Sequence, residues 1–177
     1  MGSLIIGLTG YAQSGKDSVA KILVEKHGYK RVAFADKIRD LLYKMDPYVK
    51  GEYHLKILVD AYGWEIVKQT PEVRRMLQNL GMAAREAFGD TFWIDQALSN
   101  LHSFENYVVT DVRFANEATK IQFIGGRLWR IKRPGVEAVN EHISESDMDG
   151  YKVDQILMNR GDRKSTRLNS SHGYISY

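Results

Sequence analysis

The chain contains no cysteine. Disulfides, thiolate metal centres and cysteine nucleophiles are therefore excluded. No run of 18 apolar residues occurs, so no membrane-spanning helix is expected. The N-terminus, Met1-Gly-Ser-Leu-Ile-Ile6, has neither a basic start nor a cleavage signature. No secretory signal is expected, and the cytoplasm is the expected compartment. Proline is scarce, with three residues in 177, and each marks a boundary: Pro47 after a helix, Pro71 at the start of one, Pro134 in a loop. Neither sign of charge dominates, with 25 basic against 22 acidic residues. The surplus of +3 and a sequence pI of about 9.0 suit a nucleic-acid partner only if the charge is concentrated. What is present is an ordinary globular composition, 44% hydrophobic and 27% charged. A chain of this length is enough for one domain with a real core.

Residues 162–177 read Asp-Arg-Lys-Ser-Thr-Arg-Leu-Asn-Ser-Ser-His-Gly-Tyr-Ile-Ser-Tyr, with neither helical nor strand periodicity. The first eleven resemble the in-frame translation of a sequencing-library adapter, and Ile175-Ser-Tyr177 matches its continuation. The expected organisation is one domain over residues 1–161, cut short at its C-terminus, followed by a non-native, unstructured tail over 162–177. Arg163, Lys164, Arg167 and Asp162 belong to that tail. Taking three bases from 25 and one acid from 22 leaves 22 and 21, a net charge of +1. A polynucleotide partner thereby loses most of its support.

Within residues 1–161, short apolar runs alternate with helical patterns. Leu4–Thr9 reads as a strand buried on both faces. A helix is expected from Lys16 to His27, with Gly28 as its C-cap. Arg31–Phe34 is a second strand, and Asp36 is placed to cap a helix ending before Pro47. Residues 53–100 look mainly helical, with a start at Thr70-Pro71-Glu72. Further strands are expected at Asn106–Asp111, Arg127–Ile131 and Val153–Met158, with a helix at Asn116–Phe123 between the first two. This alternation predicts an α/β fold of three layers: a parallel sheet of about five strands with a helical insertion.

Gly10-Tyr-Ala-Gln-Ser-Gly15-Lys16 follows the first strand and opens the first helix, the context a P-loop requires. Glycines let backbone N–H groups converge on phosphate oxygens, and the helix N-terminus adds its positive end. Gly10, Gln13, Ser14, Gly15, Lys16, Asp17 and Ser18 are the candidates for holding ATP phosphates. The residue after Lys16 is Asp17, where Ser or Thr is usual, and Ser18 follows. Either could face Mg2+. Phosphoryl transfer needs charge neutralisation beyond one lysine. Asp111, at a strand end, is a candidate magnesium carboxylate or alternatively a helix cap. Lys16, Arg113 and Arg133 are the catalytic candidates. Arg74, Gln78 and Arg85 keep to one helix face and could present donors to a monophosphate. Arg39 lies on another predicted helix. Trp93 could stack on a base or pack in the core. His142 is a weak candidate base.

Taken together, Gly10–Ser18, Arg74-Arg-Met-Leu-Gln-Asn-Leu-Gly81 with Arg85, Gly89-Asp-Thr-Phe-Trp93, Thr110-Asp-Val-Arg113 and His142-Ile-Ser-Glu145 resemble phage-type deoxynucleoside monophosphate kinases of the adenylate-kinase-like group. The resemblance covers roughly residues 3–160. It implies transfer of the γ-phosphate of ATP to a dNMP, giving ADP and dNDP with magnesium. It also implies a helical NMP-binding insertion, with Arg39, Arg74, Gln78, Arg85, Trp93 and Arg113 around the monophosphate. For a phage-encoded chain the compartment is the host cytoplasm. A homodimer is compatible with the sequence, which does not require one; neither nucleic acid nor membrane is expected as a partner. Two alternatives stand beside this reading. One is another small-molecule P-loop kinase acting on a coenzyme precursor such as dephospho-coenzyme A. The other is a nucleotide-binding protein inactive through truncation.

Overall fold

The computed structural model describes residues 3–99, 101–136 and 147–161 and the backbone of residues 174–175. In chain order the elements are β1 (Ile5–Thr9), α1 (Lys16–His27), β2 (Lys30–Val32), α2 (Phe34–Met45), β3 (Tyr48–Val49), β4 (Tyr53–His54), α3 (Leu55–Tyr62), α4 (Trp64–Val67), α5 (Pro71–Phe88), α6 (Phe92–Leu98), β5 (Tyr107–Val109), α7 (Ala115–Phe123), β6 (Arg127–Lys132), β7 (Gln155–Asn159) and β8 (Tyr174–Ile175). They form two compact units. One comprises Met1–Ala33 and Asn100–Tyr177, the other Phe34–Ser99.

The first unit is built on a parallel sheet in the order β2-β5-β1-β6-β7-β8. β1 lies at its centre and is buried along its whole length, which is why its sequence is almost continuously apolar. Alternation of side chains divides its two faces. Ile6 and Leu8 pack with Val108, Ile131 and Leu157 against Val19, Ala20 and Leu23 of α1. The opposite face is covered by α7, which buries Ala118 and Ile121. The result is the expected three-layer α/β sandwich. α1 ends as its sequence predicts, with Gly28 in the left-handed region (φ 69°) returning its N–H to Leu23 O. At the sheet's N-terminal edge, Lys30 Nζ donates to Glu105 Oε1 at 2.5 Å. That ammonium, together with the Tyr107 hydroxyl, holds the Glu105 carboxyl below the usual range.

The second unit is helical. Leu42, Val49, Leu55, Val67 and Val73 form its core, with Leu58, Trp64, Met76, Leu77 and Leu80 packed around them. Pro71 opens α5 with Thr70 extended before it, as expected.

Three expectations change. α2 starts at Phe34, so Asp36 sits inside its first turn and not at the position before it. β3 and β4 form a small hairpin turned at Lys50 and Gly51, both at positive φ; two-residue strands are too short to leave a period. The tail was expected to lack regular structure, yet Tyr174–Ile175 pairs in parallel with Met158–Asn159. Backbone pairing at a strand edge lets an extended segment add there whatever its side chains, and β8 adds to β7 in this way.

Leu8 is fully buried at the centre of the sheet. Replacing it with Ala is expected to lower stability by about 2–5 kcal/mol, read from urea denaturation.

Candidate active site

β1 ends at Thr9 and α1 begins at Lys16. The turn between them takes three residues through positive φ: Gly10 (137°), Gln13 (62°) and Gly15 (105°). Two of these positions have no room for a side chain. A Cβ on Gly10 would lie 2.3 Å from the carbonyl oxygen of Ile131 in β6. A Cβ on Gly15 would lie 2.3 Å from Asn159 Nδ2 at the end of β7. Ser14 N–H closes the turn on Tyr11 O at 3.2 Å. The Lys16 ammonium folds back along it, donating to Gly10 O at 2.5 Å and Tyr11 O at 2.8 Å. Ser14 is buried, and its Oγ has no hydrogen-bond partner among the described residues. A native site that keeps a buried hydroxyl without a partner calls for an explanation such as a ligand or ion.

Beside the turn lies a cleft of about 500 Å³. Its lining comes from the C-terminal ends of β1, β5 and β6, where open α/β sheets bind ligands. Lys16, Arg113, Arg130, Lys132 and Arg133 contribute five cations, against the carboxylate of Asp149. A second hollow of about 600 Å³ is lined by Gln13, Gly15, Asp17, Ser18, Asn159 and Gly161, and shares Lys16 and Arg133 with the first. Such a surface suits a compact polyanion.

Acidic and basic side chains set the backbone around the cleft. Glu117 is 2% exposed. One of its oxygens accepts from Arg113 N–H at 2.7 Å and Phe114 N–H at 3.0 Å. That bond fixes the segment carrying Asp111 and Arg113 and caps α7. Asp147 adds a second acceptor there, taking Ala115 N–H at 2.7 Å. Arg130 donates to the carbonyls of Met148, Asp149 and Tyr151, fixing the chain that leads into β7. Tyr11 ties the turn to this segment through Asp149 Oδ1 at 2.8 Å.

The structure thus brings together Gly10, Ser14, Lys16, Arg113 and Arg133 around the cleft, and Gln13, Gly15, Asp17 and Ser18 around the hollow. Asp111 is half-buried two residues past β5. In the helical unit, Arg74 and Gln78 are exposed on α5 and Arg85 is half-buried. Arg39 pairs with Asp36 at 3.4 Å. Trp93 is corrected: it is 3% exposed, donates Nε1–H to Gly81 O at 3.0 Å and meets Phe92 edge-on. Its ring is buried against Phe92 and the Gly81 carbonyl, which favours packing over base stacking. His142 and Glu145 lie outside the described residues. Glu117, Arg130 and Asn159 were missed; the Glu three residues after Phe114 was the one visible sign, that of a capping box.

Among the described residues, no three His, Cys, Asp or Glu side chains group as a metal site. Magnesium needs no such cage, since it keeps waters and is held by one or two protein oxygens plus substrate phosphates. The unpartnered Ser14 hydroxyl and the oxygens of Asp17, Ser18 and Asp111 are hard donors of the right chemistry.

Comparison with known proteins agrees with this chemistry. Residues 63–167 match the family described as deoxynucleotide monophosphate kinase. The chain is 30% identical over 182 positions, covering 88% of each protein, to a protein of Acanthamoeba polyphaga mimivirus named "Putative deoxynucleotide monophosphate kinase". It is also 30% identical over 129 positions to a dephospho-CoA kinase of Borrelia garinii subsp. bavariensis, covering 72% of this chain and 56% of that protein. The parallel sheet, its glycine-rich turn and these relatives define a nucleotide kinase of the α/β class. Within that class, the chain belongs to the deoxynucleotide monophosphate kinase family.

Glu117→Ala removes the carboxylate that accepts from two part-buried N–H groups, those of Arg113 and Phe114. A loss of about 1–3 kcal/mol is expected by chemical denaturation, and Glu117→Gln, which keeps an acceptor oxygen, should lose less.

Proposed function

We propose that the chain transfers the γ-phosphoryl group of ATP to a deoxynucleoside monophosphate. An oxygen of the monophosphate attacks the γ-phosphorus, the bond from that phosphorus to the β,γ-bridging oxygen breaks, and dNDP and ADP leave. The observation that carries this reading is the turn from β1 to α1, with Lys16 at its end and a cleft rich in cations beside it. Gly10, Gln13, Ser14, Gly15, Asp17 and Ser18 hold the triphosphate through backbone N–H groups and the helix N-terminus. Lys16 leaves the carbonyls of Gly10 and Tyr11 for the phosphates. Arg113 and Arg133 neutralise charge that spreads over the transferring group. Asp17, Ser18 or Asp111 would hold Mg2+, which would supply further neutralisation of the phosphate charge. Arg39, Arg74, Gln78 and Arg85 bind the monophosphate. The exposure of Arg74 and Gln78 on one face of α5 supports that role. The functional unit is residues 1–161.

The 30% identity to a dephospho-CoA kinase favours one second reading, in which the acceptor is a coenzyme precursor with a sugar hydroxyl. ADP release should be measured with ATP and each of the four dNMPs, then with dephospho-CoA. Turnover is expected with at least one dNMP; turnover with dephospho-CoA alone would overturn the proposal. A chain ending at Gly161 is expected to turn over as fast per folded molecule as the full one.

Lys16→Ala is expected to cut kcat by about 10²–10³ or more, the scale of losing one preorganised charge in a transition state. Arg85→Ala is expected to raise the dNMP KM at least tenfold with ATP affinity unchanged. The reverse pattern would move Arg85 to the ATP side.

A further inference from the structure

We infer that Asn159, at the end of β7, is a positioning residue that sets the peptide between Ser14 and Gly15 in the conformation that binds phosphate. The inference rests on the reading of this turn as the triphosphate cradle.

Asn159 is 5% exposed, and both ends of its amide are engaged. Nδ2 donates to Ser14 O at 3.0 Å, and Oδ1 accepts from Gly161 N–H at 3.0 Å. The first bond joins residues 145 apart in sequence. A trans peptide is planar, and its carbonyl and N–H point in opposite directions. Holding Ser14 O toward Asn159 therefore aims the Gly15 N–H away from it. Gly15 can approach so closely because it lacks a Cβ; one built there would stand 2.3 Å from Asn159 Nδ2. Asn159 cannot yield to it, because its other end is fixed on Gly161. The glycine at 15 and the asparagine at 159 are thus two halves of one contact.

The residue type follows from the two partners. Ser14 O needs a donor and Gly161 N–H needs an acceptor, and a primary amide of this length supplies both. A carboxylate of the same shape supplies only acceptors. It would face the Ser14 carbonyl with like polarity and place a negative charge beside an anion site.

The test compares Asn159→Asp and Asn159→Ala with the parent chain. ATP is titrated alone by calorimetry; kcat and the dNMP KM are taken from ADP release at saturating ATP. Both variants are expected to raise the ATP Kd at least tenfold and to lower kcat per folded molecule at least tenfold. The dNMP KM should stay within twofold. An unchanged ATP Kd in Asn159→Asp overturns the inference, even with a lower melting temperature, because Asn159 then only packs. Should Asn159→Ala fail to fold, the isosteric variant decides. Lys16→Ala, run in parallel, separates the two failures. If it too leaves ATP binding intact and kcat unchanged as well, the turn is not the cradle and the functional reading falls. If it weakens ATP binding while Asn159→Asp does not, only the role of Asn159 falls.

Discussion

The turn from β1 into α1 is held from two sides by groups that stand where a β-carbon would be. The Ile131 carbonyl occupies that place at Gly10 and the Asn159 amide occupies it at Gly15. A chain bearing side chains there would have to move away from β6 and β7, and with it would move the helix start and Lys16. The parallel pairing of β1 with β6, from Ile6↔Arg127 to Thr9↔Arg130, is what brings Ile131 to that spot. The sheet register and the shape of the turn are therefore one constraint.

Charge around the cleft follows a consistent division. Acidic side chains near the cleft accept from backbone N–H groups or a hydroxyl: Glu117 from Arg113 and Phe114, Asp147 from Ala115, Asp149 from the Tyr11 hydroxyl. Basic side chains are held by carbonyl oxygens: Lys16 by Gly10 and Tyr11, Arg130 by three carbonyls of the segment before β7. A cation held by peptide dipoles keeps its full charge, whereas one held by a carboxylate is half of a neutral pair. The cleft thus stays electropositive while its walls remain ordered.

How legible this was in the sequence depended on the distance over which each feature is specified. β1, α1 with its Gly28 cap and the Pro71 start of α5 are written in adjacent residues, and all were readable. All five main strands were found, with ends off by one or two residues. Lys30–Val32 stopped short of Phe34 because Phe34 already belongs to α2. Trp93 carried no local sign to separate base stacking from packing; only the Gly81 carbonyl within reach of its indole decides. Asn159 was invisible for a plainer reason: its partner lies at the other end of the chain, and an Asn near the end of a strand has no periodicity to betray it.

The helical unit also has a topological meaning. It is inserted between β2 and β5, which are neighbours in the sheet and run in parallel. Two such strands cannot be joined by a hairpin; the chain must travel back along their length before the second begins. Residues 34–99 make that return journey. The unit is therefore something evolution can rewrite, in length and in helix content, but not delete without leaving two adjacent strands unconnected. If Arg39, Arg74, Gln78 and Arg85 take the acceptor as proposed, a change of acceptor in this lineage would come by remodelling a crossover, and the sheet would keep its order while its clientele changed.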